Sequence, residues 1–198
     1  MKRYKILIIS ILTLFILFVK SWYSDFLLDK LFIFYIITNL LLFLLFNYCF
    51  ITSLVKIVKE RKLINFISII ILLCSVLLFA FFPFRKVKTN YELNNYEKTR
   101  LEIIDKIIYN ELKPDDFGNV KLPKEYKKYS MSGEITIYQN NKEDQLICFW
   151  IFRGMQSGSV QLMYSTGGEE LIKDNENGHP ITNIEKLKDN WYYVETNY

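Results

Sequence analysis

The sequence predicts a membrane protein of three transmembrane α-helices followed by a small α+β domain, one amphipathic helix packed on an antiparallel sheet of about four strands. Three observations carry that reading. Long apolar runs are confined to residues 1–84. Charge divides at the same place. Residues 1–84 hold nine Lys or Arg against Asp25, Asp29 and Glu60, a net of +6, and residues 85–198 hold sixteen basic and eighteen acidic residues, a net of −2. Beyond residue 85 the apolar pattern changes to one helical stripe and then to short alternating segments bounded by turns. The expected division is a transmembrane region over residues 1–84, with spans of about 5–23, 31–55 and 63–84, and a soluble domain over 85–198, long enough to bury one core.

The first run, Ile6–Val19, is flanked by Lys5 and Lys20. Its residues cover about 21 Å as a helix, against a bilayer core of about 30 Å. Tyr4, Trp22 and Tyr23 extend it as interfacial anchors, with Lys5 and Lys20 expected to snorkel. Lys2, Arg3 and Lys5 before a short apolar stretch also fit a signal peptide. However, Lys20-Ser21-Trp22-Tyr23-Ser24 lacks a small-x-small cleavage site, so an uncleaved span is preferred.

The second run, Leu31–Val55, contains Thr38, Asn39, Asn47 and Tyr48. Asn39 and Asn47 lie near one helix face, either as a polar pathway or, preferably, as interhelical hydrogen-bonding groups. Neither this run nor the third, Leu63–Phe84, contains Asp, Glu, Lys, Arg or His, which argues against transport. Pro83 marks the end of the third run. The basic turn from Lys56 to Lys62 makes runs two and three a hairpin.

Positive-inside asymmetry sets the expected orientation. The N-terminus and the 56–62 turn hold seven Lys or Arg, whereas in the 20–30 loop Lys20 and Lys30 are balanced by Asp25 and Asp29. The N-terminus is therefore expected in the cytoplasm and the C-terminal domain outside it, although Arg85, Lys86 and Lys88 follow the third span. Cys49 and Cys74 lie in apolar runs, leaving Cys148 without an internal disulfide partner in the soluble half. A single alanine, Ala80, and twenty Lys against five Arg suggest AT-rich coding.

In the soluble half, Thr89-Asn90-Tyr91-Glu92 has capping-box spacing. Leu93, Tyr96, Leu101, Ile104, Ile107, Ile108 and Leu112 then form a helical stripe, predicting a helix over about 90–112 that Pro114 stops. The mixed charge of its polar face argues for packing on a sheet rather than on lipid. Glu134–Tyr138 alternates as a strand, and Asn140–Asp144 reads as a turn. The continuous apolar run within Gln145–Phe152 predicts a central strand covered on both faces. Val160–Tyr164 and Trp191–Thr196 complete the four; Leu171-Ile172 is ambiguous, and Asp174–Pro180 reads as a polar loop.

The chemistry-bearing residues form no recognisable set. His179 is the only histidine, so no conventional zinc site exists, and no phosphate loop, nucleophile elbow or zincin helix is present. No catalytic residues, metal ligands or cofactor are assigned, and the binding residues stay open. Asp115-Asp116 reads as a solvated turn in preference to a weak cation site. The connection Arg153–Ser159 reads as a hairpin in preference to a ligand loop. Trp150, Trp191, Tyr192 and Tyr193 read as packing residues in preference to a pocket lining. The basic segment Lys121–Lys128, with Pro123 and Tyr126, reads as an exposed loop in preference to a contact for anionic lipid or wall polymer. With no basic stripe in the soluble half, nucleic acid is excluded as a partner.

Val120-Lys121-Leu122-Pro123, Tyr164-Ser165 and the ending Ile184-Glu185 with Asn190-Trp191-Tyr192-Tyr193-Val194 carry a resemblance. By these motifs the domain resembles uncharacterised small polytopic membrane proteins of low-GC Gram-positive bacteria with an extracytoplasmic α+β domain. The resemblance brings no activity and no site residues. The expected function is a membrane-anchored, non-enzymatic extracytoplasmic binding or interaction protein in the cell membrane. Its partners would be the lipid bilayer and a protein or envelope component, as in an immunity or accessory protein of a toxin or bacteriocin system. The alternatives are a sensory or regulatory subunit of a membrane complex and, least favoured, an enzyme using Asp115, Asp116 and Glu134.

Overall fold

The computed structural model describes residues 4–140, 144–154, 158–175 and 180–197. The chain forms two compact units, Met1–Arg85 and Lys86–Tyr198.

In the first unit, α1 (Lys5–Trp22), α3 (Phe32–Glu60) and α4 (Leu63–Phe81) are, among the described residues, the three helices long and apolar enough to cross a membrane. Each packs on the other two. The protein is thus a three-span membrane protein, and its polarity is distributed as a bilayer requires. Large apolar side chains such as Phe15, Phe34, Leu41 and Phe43 face outward, while Ser10, Thr13, Ser53, Ser68 and Ser75 are buried between the helices. In lipid, close packing of small residues drives helix association, because burying a leucine gains little over leaving it in the acyl chains. Several hydroxyls are satisfied by the preceding turn of their own helix: Thr13 donates to the Ile9 carbonyl (2.8 Å) and Ser75 to that of Ile71 (2.7 Å).

Three local features differ from expectation. The 20–30 segment is not a loop, since α2 (Ser24–Lys30) fills most of it. The basic turn contracts because α3 runs on to Glu60, where Arg61 closes the helix at a left-handed φ of 47°. Lys20, expected to snorkel, is buried and donates to the Asn39 side-chain oxygen. α4 does stop before Pro83: Phe82 is extended (φ −80°, ψ 122°), as steric contact with a following proline dictates.

The second unit is the α+β domain. Its long helix, α5 (Phe84–Ile108), starts earlier than 90 because Pro83 is tolerated at a helix start and nothing after it breaks the pattern. The Thr89–Glu92 box is therefore not a cap, and Thr89 lies buried within the helix. The helix ends at Ile108, not 112: Asn110 takes a left-handed φ of 59°, and the Glu111 and Leu112 amides fold back on the Lys106 carbonyl (2.8 and 3.1 Å).

Among the described residues the sheet has six strands rather than four. They are β1 (Asn119–Lys121), β2 (Glu134–Asn140), β3 (Gln145–Arg153), β4 (Ser159–Ser165), β5 (Ile181–Lys188) and β6 (Trp191–Thr196). They pair antiparallel in the order β1-β2-β3-β4-β6-β5, so β6 pairs with β4 and β5 forms the outer edge. Leu171 and Ile172 belong to the short helix α6 (Gly168–Asp174).

Each face of the sheet has its own core. On one, Leu93, Ile103, Ile104 and Ile107 of α5 pack on Ile135, Ile147, Phe149, Leu162 and Trp191. On the other, Leu146, Cys148, Met163, Tyr192 and Val194 pack with Ile172 of α6. β3 is thus covered on both sides, as its apolar run predicts. The first core contains one charge. The Arg100 side chain is 1% exposed, 3.7 Å from Glu92, and donates weakly to the Tyr129 carbonyl (3.4 Å) with Phe149 beneath it. Burial lowers its pKa, opposed chiefly by Glu92.

Candidate functional site

The strongest candidate lies on the α6-facing side of the sheet, where alternation places a polar row. Along β3, Ile147 and Phe149 point to α5, so Leu146, Cys148 and Trp150 point the other way. Gln161 lies opposite Trp150, and Met163 lies opposite Cys148. The Cys148 thiol donates to Gln161 Oε1 (3.5 Å), and Gln161 Nε2 donates to Ser159 Oγ (3.1 Å). Ser159 and Thr196 share a hydroxyl hydrogen bond of 2.7 Å. Cys148, Gln161, Ser159 and Thr196 thus form one continuous hydrogen-bonded row.

At its β2–β3 end the row becomes more accessible. Trp150 Nε1 donates to Thr136 Oγ1 (2.9 Å), whose hydroxyl donates to Asn119 Oδ1 (2.8 Å). The Arg153 guanidinium lies 4.0 Å from the centre of the Trp150 ring. Its only ion pair among the described residues is a loose one, 3.9 Å to Glu134 Oε2. Arg153 Nε is buried and makes no hydrogen bond among the described residues, while the side chain as a whole is 33% exposed. The Arg153 backbone is held in place by its N–H donating to Met131 Sδ (3.2 Å). Tyr138 packs on the same face. Burial raises its hydroxyl pKa, with Cys148 adding to the shift and Arg153 opposing it.

This arrangement suits recognition. A guanidinium stacked on tryptophan is held flat, with donors in a planar fork that matches a carboxylate. The thiol beside it is no nucleophile, because burial pushes the Cys148 pKa far up and Arg153 offsets only part of that shift. Above about pH 8.5 the unfolded chain releases the thiol proton while the folded chain retains it, so this group lowers stability as pH rises. In the native protein Cys148 is expected to resist a water-soluble maleimide until the domain is unfolded, as read by peptide mass mapping. An alkaline loss of stability that Cys148→Ala removes is expected alongside. Rapid native labelling at neutral pH would contradict the buried placement.

The other sequence candidates are dispersed. Asp115 builds its own turn: its Oδ1 accepts from the Phe117 and Asn119 amides (3.0 and 2.8 Å) and leads the chain into β1. Gly118 completes that turn at φ +78°, where a Cβ would stand 2.7 Å from the Ile137 carbonyl oxygen. Trp191 and Trp150 lie on opposite faces of the sheet, so the four aromatics line no common pocket. The Lys121–Lys128 segment is docked rather than a free loop, with Leu122 buried and the Tyr126 hydroxyl bonded to Glu102. Asn47 turns back on the Phe43 carbonyl (2.7 Å) and takes no part in a pathway with Asn39. His179 and residues Met155 to Ser157 of the β3–β4 connection lie outside the described residues. Among the described residues, no three His, Cys, Asp or Glu side chains converge on a metal-sized site.

Two features escaped sequence reasoning. Arg153 stood in the flagged connection, but its stacking on Trp150 depends on register: β3 has an irregularity between Trp150 and Phe152 that shifts the following residues. Lys20 reads as a boundary residue, and nothing in the local pattern points to Asn39 as its partner.

Comparison with protein-family models, curated proteins and solved structures finds no match to this chain.

Proposed function

We propose that the protein is a membrane-anchored, non-enzymatic interaction module, with its N-terminus in the cytoplasm and its α+β domain presented on the extracytoplasmic side of the cell membrane. The Arg153–Trp150 corner is the observation that carries the binding role. Arginine, tryptophan and tyrosine are the residues that most often dominate protein interfaces, and here the arginine is stacked, fixed at its backbone and only loosely paired. The partner favoured by this chemistry is a protein that offers a carboxylate beside an apolar surface. The positive-inside asymmetry supports the orientation. An immunity or accessory role in a toxin or bacteriocin system fits such a module, as does the resemblance to small membrane proteins of low-GC Gram-positive bacteria.

The test pairs orientation with contact. Alkaline phosphatase and a fluorescent protein fused separately after Tyr198 are expected to give phosphatase activity without fluorescence. A photo-crosslinking residue at Met131 is expected to give one discrete protein adduct in intact cells, lost on Arg153→Ala. The same probe at Tyr109, exposed in the turn that follows α5, is expected to give none. Fluorescence without phosphatase activity would reverse the orientation and favour the sensory-subunit alternative. An adduct that survives Arg153→Ala would remove the corner from the binding role.

A further inference from the structure

The membrane unit contains a cationic cavity that the binding role leaves unused. It measures 490 Å³ and opens between α1, α3 and α4. That is the size of a small-molecule site. Its walls are apolar, with Leu17, Leu42, Phe46 and Val76 among them, and its polar groups are Lys20, Asn39 and Ser75.

Lys20 is the anomaly. Its ammonium belongs to a residue only 8% exposed, on α1 where that helix packs on α3 and α4. An ammonium has three donors, and a charge taken out of water is costly unless paired. Here one donor goes to Asn39 Oδ1. The Tyr35 and Phe79 ring centres stand at 4.6 and 5.7 Å, which stabilises the cation only modestly. Among the described residues no carboxylate pairs with Lys20, whereas the nearby basic residue Arg85 has Asp25 at 2.8 Å. Ser75 lends no donor to an acidic partner, since its hydroxyl is bonded to the Ile71 carbonyl. Among the described residues, therefore, the site presents an ammonium with no carboxylate beside it.

Depth identifies the kind of anion. Lys20 lies two residues before the end of α1, and Phe79 two before the end of α4; Tyr35 is in the first turn of α3. All three mark the same end of the bundle, opposite the 61–62 turn. From Asn39 to Phe46 the α3 wall of the cavity descends about 10 Å along the helix. With these helices spanning the bilayer, the charged end falls toward the lipid headgroups and the apolar part toward the acyl region. Phosphate at the top and hydrocarbon below is the layout of one leaflet lipid.

We propose that this cavity binds an anionic phospholipid of the bilayer, its phosphate on Lys20 and Asn39 and part of an acyl chain between α1, α3 and α4. The probe is phosphatidylglycerol, added to the full chain purified in a non-ionic detergent. Bound lipid is counted by native mass spectrometry, and melting is followed in parallel. One phosphatidylglycerol is expected to bind in preference to phosphatidylcholine and to raise the melting temperature. Lys20→Met is expected to weaken that binding about tenfold, the scale of one lost charge-assisted hydrogen bond. Should Lys20→Met fail to fold, Val76→Trp keeps the charge, fills the cavity and is expected to exclude the lipid. Equal binding of the two phospholipids, or unchanged phosphatidylglycerol binding in both variants, would overturn the proposal. Oleate or inorganic phosphate saturating the site where phosphatidylglycerol does not would overturn it as well.

Discussion

Trp191→Ala is expected to destabilise the α+β domain by about 3–5 kcal/mol, the usual cost of deleting a fully buried aromatic. Trp191 opens β6, is 1% exposed and packs its ring 5.8 Å from Phe149 and 5.2 Å from Tyr164. All three belong to the core beneath α5. The indole therefore joins β3, β4 and β6 to the helix, and the cavity left by its removal is walled by strands that hydrogen bonds hold apart, so the site collapses poorly. Thermal unfolding of the full chain in detergent, followed by near-ultraviolet circular dichroism, is expected to show a fall of well over 10 °C, since each kcal/mol moves a domain of this size by roughly 4 °C or more. The companion substitution Trp150→Ala is expected to cost less than half as much. That ring is only partly buried, and removing it loses one bond to Thr136 and the contact with Arg153. Equal costs for the two tryptophans would mean that the faces of the sheet are assigned wrongly.

The elements of this fold differ widely in how legible they are in the sequence. The spans were readable because a bilayer demands long uncharged runs, and few other structures produce three of them in 84 residues. β3 was readable because a strand covered on both faces must be apolar throughout. β5 was not: it lies at the sheet edge and carries Glu185, Lys186 and Lys188, the charges that protect an edge from further pairing and that make a strand look like a loop. β1 is three residues long, too short for any periodicity to register. The helix start was misplaced because a Thr–Glu pair at capping spacing looks the same inside a helix as at its end.

The polar sites were the least legible, for one physical reason. Charge type is read as exposure, and both Arg100 and Lys20 break that rule. Arg100 lies seven residues after Leu93 and seven before Ile107, squarely on the buried stripe, so helical spacing alone points to it when residue type is ignored. Lys20 has no such signature, because its partner Asn39 comes from another helix. Its placement is a tertiary fact.

Gly158→Ala is the substitution expected to reach the candidate site from outside it. Gly158 has φ +74°, and a Cβ there would lie 2.0 Å from the Thr196 carbonyl oxygen, with Thr196 and Asn197 backbone atoms at 3.1 and 3.2 Å. Those atoms are main chain of β6 and the residue after it, so no side chain can swing aside. The Gly158 carbonyl also accepts from the Gly154 amide (3.0 Å), which closes the β3–β4 connection just beyond Arg153. Accommodating a methyl requires β4 to part from β6 at the Ser159–Thr196 pair. The left-handed backbone alone costs an alanine about 1–2 kcal/mol, and the lost pairing adds to it, for a total of about 3 kcal/mol. Parting of the β4 and β6 backbones there should open the sheet beside the polar row and let maleimide reach Cys148 in the folded protein. Ser159→Ala separates backbone from side chain: it deletes the hydroxyl, adds no clash, and is expected to cost about 1 kcal/mol while leaving Cys148 protected. If Gly158→Ala and Ser159→Ala prove equally mild, the close approach of β4 to β6 does not hold the Arg153 corner in place, and its position rests on β2, β3 and the Met131 contact.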